Sequence, residues 1–324
     1  MVAHEGAAVT LIFHIFQTDR ADWGIVHDAL SVTCERIAFI PFLILRKSSI
    51  FHRFALNAKT LSHLNTMMMK LRASATQVER IRRKTYKPND VKNVAISAGV
   101  IAGWASLFHE ALFVVHDIKS VEGVIMVPCL AFMYTGLFIT GHDAMHGTIS
   151  RNPVINDAIG HMCMNLYAGF DFNEMRHKHM LHHLNTGIVD EDPDFHKGNP
   201  NVFAWFLAFM MQYFNATQML KLILFAELLK YNGAPTENLY VYMALCGMLS
   251  SLQLFYFGTY IPHKPPADNV DEVMNWEKSR SSTKTTRLES LLTCFHFDCH
   301  FEHHAMPQVP WFDLWDVKKK IDVL

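Results

Sequence analysis

The residues richest in potential chemistry lie near the carboxyl end, where FHFDCHFEHH, residues 295–304, gathers four histidines and two acids. His296, His300, His303 and His304 fall at i, i+4, i+7 and i+8, so a helix here carries a stripe of imidazoles on one face. Two more groups share this spacing: His142 with His146, and His179 with His182 and His183. Neutral imidazoles arranged this way suit iron, zinc, copper or nickel. One pair a helical turn apart says little, but three groups in one chain point to a metal centre. The eight imidazoles of His142, His146, His179, His182, His183, His300, His303 and His304 exceed what one four-coordinate site needs, so two ions are the economical reading. His263, in YIPHKP, is a ninth candidate ligand and His296 a tenth.

Ligating imidazoles usually give their other N–H to a carboxylate. Asp143, Asp192, Asp194, Asp298 and Glu302 stand beside the boxes and are the candidates for that role. His4, His14, His27, His52 and His63 lie in a basic amino-terminal stretch, and His109 and His116 lie in or beside an apolar segment; all seven are read as non-ligands. His161 is read as structural, and the solitary His196 as a surface group or an outer partner of the ligands.

Long apolar stretches must position these groups. Val94–Val115 and Val121–Thr140 are separated by HDIKS, and Val202–Leu229 and Leu239–Ile261 by KYNGAPTEN. Each is long enough for a helix across a hydrocarbon core of about 30 Å. Four spans in two hairpins bring every histidine group out on one face. That face also carries most of the lysines and arginines, among them Lys92, Arg151, Arg176, Lys178, Lys264 and Arg287, while the opposite turns hold Lys119 and Lys230. By the positive-inside rule the histidine face is cytoplasmic or, in a plastid, stromal.

Composition agrees: of 324 residues, 50% are hydrophobic, which points to a membrane protein. The net charge of −1 gives no support to a nucleic-acid partner. Six cysteines without a CxxC pair suggest neither a disulfide framework nor a zinc ribbon. Residues 1–85 form a basic arm with the composition of a transit segment or of a surface-lying arm, leaving 86–324 as the catalytic domain. No dinucleotide fingerprint or haem motif occurs, so redox chemistry here needs an external electron donor.

The motifs FITGHDAMHGTIS, HKHMLHHLNTG, EDPDFHKGNP, LFYFGTYIPHKP and LTCFHFDCHFEHH followed by PW resemble, in order and spacing, those of algal and bacterial beta-carotene ketolases. These form a branch of the membrane fatty-acid desaturase and hydroxylase superfamily. The resemblance covers about residues 85 to 313 and departs at RHKH, where Arg176 and His177 stand in place of the family's HRKH. It implies an all-α integral membrane fold with a histidine-rich di-iron cap, two ferrous ions, O2 as oxidant, and oxidation of ring carbon 4 of a membrane-dissolved carotenoid. It implies a plastid or endoplasmic reticulum membrane, and the basic face is expected to dock a ferredoxin-type donor. Since the same metal core serves C4 and C3 alike, regiochemistry is a matter of positioning. Phe138, Phe255, Tyr256 and Tyr260, in the motifs beside the boxes, are the expected ring contacts. The alternatives are a carotene 3-hydroxylase or an acyl desaturase with the same core. A metal carrier is disfavoured because its ligands belong at mid-membrane, and a zinc hydrolase because the ligands are too many.

Overall fold

In the computed structural model the described residues are 89–266, 274–281, 284 and 286–321; the amino-terminal arm and its histidines lie outside them. The described residues form helices and no strand. Helix α1 (Asp90–Phe113) opens at Asn89, whose side chain accepts from the Lys92 N–H at 3.1 Å. Helix α2 (Val121–Met145) opens at Ser120, whose Oγ accepts from the Gly123 N–H at 3.0 Å. Both caps satisfy amide donors that a first helical turn leaves orphaned. Helix α3 (Pro153–Ala168) has proline at its first position and ends on Gly169 at φ 71°. Helix α4 (Phe172–Asn185) is capped by Asp171 and braced by the Lys178–Glu174 pair at 2.7 Å.

The expected third span, Val202–Leu229, is not one continuous helix in the structure but two, α5 (Val202–Tyr213) and α6 (Ala216–Tyr231). Between them Phe214 is extended, and the Asn215 side chain accepts from the Gln218 N–H at 2.8 Å. An asparagine that can bond to its own downstream backbone starts a new helix where hydropathy alone runs on. Helix α7 (Thr236–His263) is unbroken, although Leu239–Leu245 and Phe255–Tyr260 take the wider π-helical turn. Thus α1, α2 and α7 are the three described helices long and apolar enough to cross a membrane. Helices α8 (Arg287–Cys294), α9 (His300–Ala305) and α10 (Trp311–Ile321) complete the described chain.

The core between α1 and α2 is aromatic: Trp104 stacks on Phe108 at 4.7 Å and meets Tyr134 edge-on at 5.5 Å. Polar bonds fix α7 against these helices. Thr135 Oγ1 lies 2.9 Å from Ser250 Oγ and donates to Gln253 Oε1 at 2.7 Å. At the other end of α7, Asn238 Nδ2 donates to the carbonyls of Ala111 and Val115 at 2.9 and 2.8 Å. Buried amides without water must find such partners, and this one ties the α6–α7 turn to the α1–α2 turn. Gly160 allows the Phe172 ring to lie directly on α3, where a β-carbon would collide with it.

Candidate metal centre

Four elements bring histidines together. His142 sits on the last turn of α2 and His146 at its C-cap; His179, His182 and His183 come from α4, His263 ends α7, and His300, His303 and His304 fill α9. Their ring nitrogens gather into two sets. His142, His146, His179, His183 and His303 form one, and His182, His263, His300 and His304 the other, with the nitrogens of each set within 4.8 Å of one another.

The contacts within the sets exclude ordinary hydrogen bonding as their purpose. Nε2 of His179 lies 2.8 Å from that of His146 and 3.1 Å from that of His183, which is itself 3.0 Å from His303 Nε2. In the second set Nε2 of His300 lies 2.8 Å from His263 and 2.9 Å from His304, and His304 lies 3.2 Å from His182. An imidazole nitrogen has one in-plane site, a proton or a lone pair, and cannot serve two neighbours at once. His142 Nε2 is buried with no hydrogen-bond partner. Such convergence fits ligands around a cation. Ligands about 2.1 Å from a shared ion stand roughly 3.0–3.4 Å apart, and the shortest separations here are of that order.

Electrostatics keep most of these rings ready to ligate. Burial, and then the charge of neighbouring imidazoles, holds His179, His183, His300, His303 and His304 well below the ordinary histidine pKa, so they are neutral near pH 7. His182 goes the other way. Burial lowers it, but the charges of Asp192 and Asp194 and the Asp192 hydrogen bond outweigh that and raise it to about 9. The negative charge that would hold a proton there would equally favour a metal cation.

Carboxylates stand behind two of the ligand rings, His182 and His142. Asp192 accepts from His182 Nδ1 at 2.8 Å and from the backbone N–H groups of Gly187 and Asp194 at 2.9 and 2.8 Å. Asp194 accepts from the Tyr213 hydroxyl and lies 3.9 Å from His182 Nδ1. Asp143 lies 3.4 Å from His142 Nδ1 and accepts from the Trp311 N–H at 2.8 Å. The other two expected carboxylates bond to serines: Glu302 accepts from the Ser281 hydroxyl, and Asp298 from Ser290 Oγ at 2.6 Å. The roles of Tyr213, Trp311, Ser281 and Ser290 carry no sequence signal, because no fixed spacing links them to the boxes.

His296 is the exception among the ten expected ligands. It belongs to neither set, and its Nδ1 faces Ser290 Oγ at 2.9 Å. The reason is local: Phe295 and His296 take left-handed backbone at φ 51° and 60°, which ends α8 and breaks the stripe before α9. Near the second box, His177 is exposed, while Arg176 pairs with Asp157 at 3.3 Å and covers the Phe172 ring. His161 packs on Phe172, and His196 lies against Phe195 and Trp205.

A cavity of about 620 Å³ opens beneath the histidines, within the range of about 300–1,000 Å³ usual for ligand sites. His142, His179, His182 and His300 form one end of its wall, and most of the remaining lining is apolar. Of the expected ring contacts, Phe138 lines it; Phe255, Tyr256 and Tyr260 do not. Phe255 is instead buried with Phe195, Trp205 and Met274, while Tyr256 and Tyr260 stack on each other at 5.8 Å. Leu254, Gly258 and Thr259 face the cavity in their place, continuing along α7 the 3–4-residue stripe of Met243, Gly247 and Ser251.

The family model described as fatty acid desaturase matches residues 121–237 and 222–322. The chain belongs to the fatty acid desaturase family. Within that family it is 41% identical to beta-carotene 4-ketolase 3 of Haematococcus lacustris, over 72% of this chain and 81% of that protein. It is 43% identical to zeaxanthin 4-ketolase of Chlamydomonas reinhardtii, over 72% and 55% of the two chains. With the beta-carotene ketolase of Paracoccus sp. (strain N81106 / MBIC 01143) it shares 37% identity, over 71% and 93%. Desaturase-family membership, the three apolar helices and the clustered imidazoles agree on a membrane protein with a histidine metal centre.

Proposed function

We propose that this protein is a di-iron oxygenase that converts the C4 methylene of beta-ionone rings to a ketone, taking beta-carotene to its mono- and diketones, echinenone and canthaxanthin. The observation that carries this reading is the placement of two sets of imidazole nitrogens at the head of an apolar cavity, in a chain similar to named carotene ketolases. Two irons would be held by His142, His146, His179, His183 and His303 on one side and His182, His263, His300 and His304 on the other. Bound iron supplies oxidation by O2 at an unactivated C–H bond, which no acid or base side chain provides.

The chain's own residues do the rest. Asp192 keeps the proton on His182 Nδ1 and so leaves Nε2 for the metal. Tyr213 donates to Asp194 and thereby fixes a second carboxylate behind the same ring. Phe138 and the neighbouring apolar wall hold one end ring of the substrate and exclude water. Each of two hydroxylations consumes one O2, two electrons and two protons and releases one water. The resulting gem-diol then loses water to leave the ketone. The electrons come from an external donor of ferredoxin type docking on the basic face.

Bacteria that make beta-carotene, given this chain, are expected to accumulate echinenone and canthaxanthin, with a 4-hydroxy compound at most in trace. Chromatography showing zeaxanthin, or altered fatty-acid unsaturation with carotene untouched, would assign the protein to a 3-hydroxylase or a desaturase instead.

In the proposed membrane arrangement the histidines lie on the cytoplasmic or stromal face, α5 and α6 together make the third crossing, and the α1–α2 and α6–α7 turns lie together on the other face. The Asn238 bonds to Ala111 and Val115 support that pairing of turns. Tags inserted near Lys119 and near Gly233 are expected to be reached by protease only from the face opposite the carboxyl terminus. Detection of either on the carboxyl-terminal side would require a different number of crossings.

A further inference from the structure

The cavity has two ends of different character, and the histidines account for only one of them. Along α7 its wall runs from Thr236 to Thr259, on the order of 30 Å of helix and about the thickness of a hydrocarbon core. Between the two ends α6 contributes Leu222 and Phe225 and α7 contributes Met243 and Met248, all apolar. At the end remote from the metal the lining turns polar: Glu227 and Lys230 from α6, and Thr236 and Tyr240 from α7. Lys230 Nζ donates to both oxygens of Glu227, at 3.0 and 3.2 Å. The two side chains are 40% and 62% exposed, so both are open to a further partner.

We infer that this remote end is a second end-group subsite that recognises an oxygen atom, ketone or hydroxyl, on the carotenoid ring away from the iron. The inference rests on the carotenoid reading given above. A conjugated polyene is a stiff rod, so a ring held at the histidines fixes the other ring one molecular length away, and the cavity runs that way. An unsubstituted ring arriving at the Lys230–Glu227 pair takes water from it and returns nothing. A ketone oxygen accepts from the ammonium, which has three N–H donors, and a hydroxyl can also donate to the carboxylate. The monoketone, turned end for end, therefore sets its first oxygen at Lys230 and its unreacted ring at the histidines. The second oxidation is favoured over the first, and oxygenated rings are welcome at the remote end.

Membranes carrying the full chain, supplied with its electron donor and an equimolar mixture of beta-carotene and its monoketone, test this. The monoketone is expected to be consumed several-fold faster. The Glu227→Leu/Lys230→Leu double variant should bring the two rates together, while Lys230→Gln, which keeps an N–H donor, should retain most of the preference. Retention is read separately, by extracting pigments from protein purified after exposure to the same mixture. Equal rates and equal retention in the wild type, or a preference untouched in the double variant, would overturn the subsite. Enriched retention of the monoketone that is lost in the double variant, with no ketone formed by the wild type, would support the subsite while overturning the oxygenase reading.

Discussion

Ketone formation in carotene-producing bacteria should disappear when His303 is replaced by alanine. His303 is fully enclosed, its Nε2 stands 3.0 Å from that of His183, and its ring lies 4.5 Å from His142 and 5.0 Å from His146. Removing it opens one position in the first set and leaves a space that no neighbouring side chain can fill with a nitrogen. Loss of an outer partner alone typically costs about 10–100-fold in metal affinity or activity, so loss of a ligand should exceed that range. His182→Ala and His304→Ala should behave alike, because the second set has only four members. His109 gives the control: it is exposed on α1 beside Phe113, and His109→Ala should keep most of the pigment conversion. Wild-type ketone levels in the His303 variant would show that the assignment of ligands is wrong.

The second large effect is metal dependence. Protein purified in detergent should contain two iron ions per chain, one for each nitrogen set, and chelation should remove both the metal and the activity. Readdition of ferrous iron should restore ketone formation, whereas zinc should occupy the site without restoring it, since zinc has no redox chemistry. The donor set gives the physical reason, because nine imidazoles in two groups are too many for one ion and too closely gathered for scattered surface histidines. One zinc and no iron in active protein would overturn the two-iron reading.

Much of the site was legible because helical spacing is a strong constraint. His179, His182 and His183 must share a face if residues 172–185 are helical, and α4 is helical. His300, His303 and His304 obey the same rule on α9. The rule failed at His296, where two consecutive residues with positive φ changed direction, a backbone choice that spacing cannot reveal. Hydropathy found α1, α2 and α7 but passed over the break at Phe214–Asn215, since one capping asparagine barely alters a window average. The cavity wall was least legible. Aromatic residues next to the boxes seemed the natural ring contacts, yet three of the four lie on other faces of α7, off the stripe of Gly247, Ser251, Leu254 and Gly258 that lines the cavity. Proximity to the boxes along the chain does not say which face of the helix a side chain takes.

Helix α9 has only six residues, yet it supplies imidazoles to both sets. A helix that short has almost no stability of its own in isolation. Helix α4 also reaches both sets, so with ions in place α4 and α9 are riveted together at two points, and the ends of α2 and α7 are fastened to them. Free energy of metal binding then becomes free energy of folding for this cap. For the cell, the supply of iron would govern how long the polypeptide survives quality control as well as how fast it turns over.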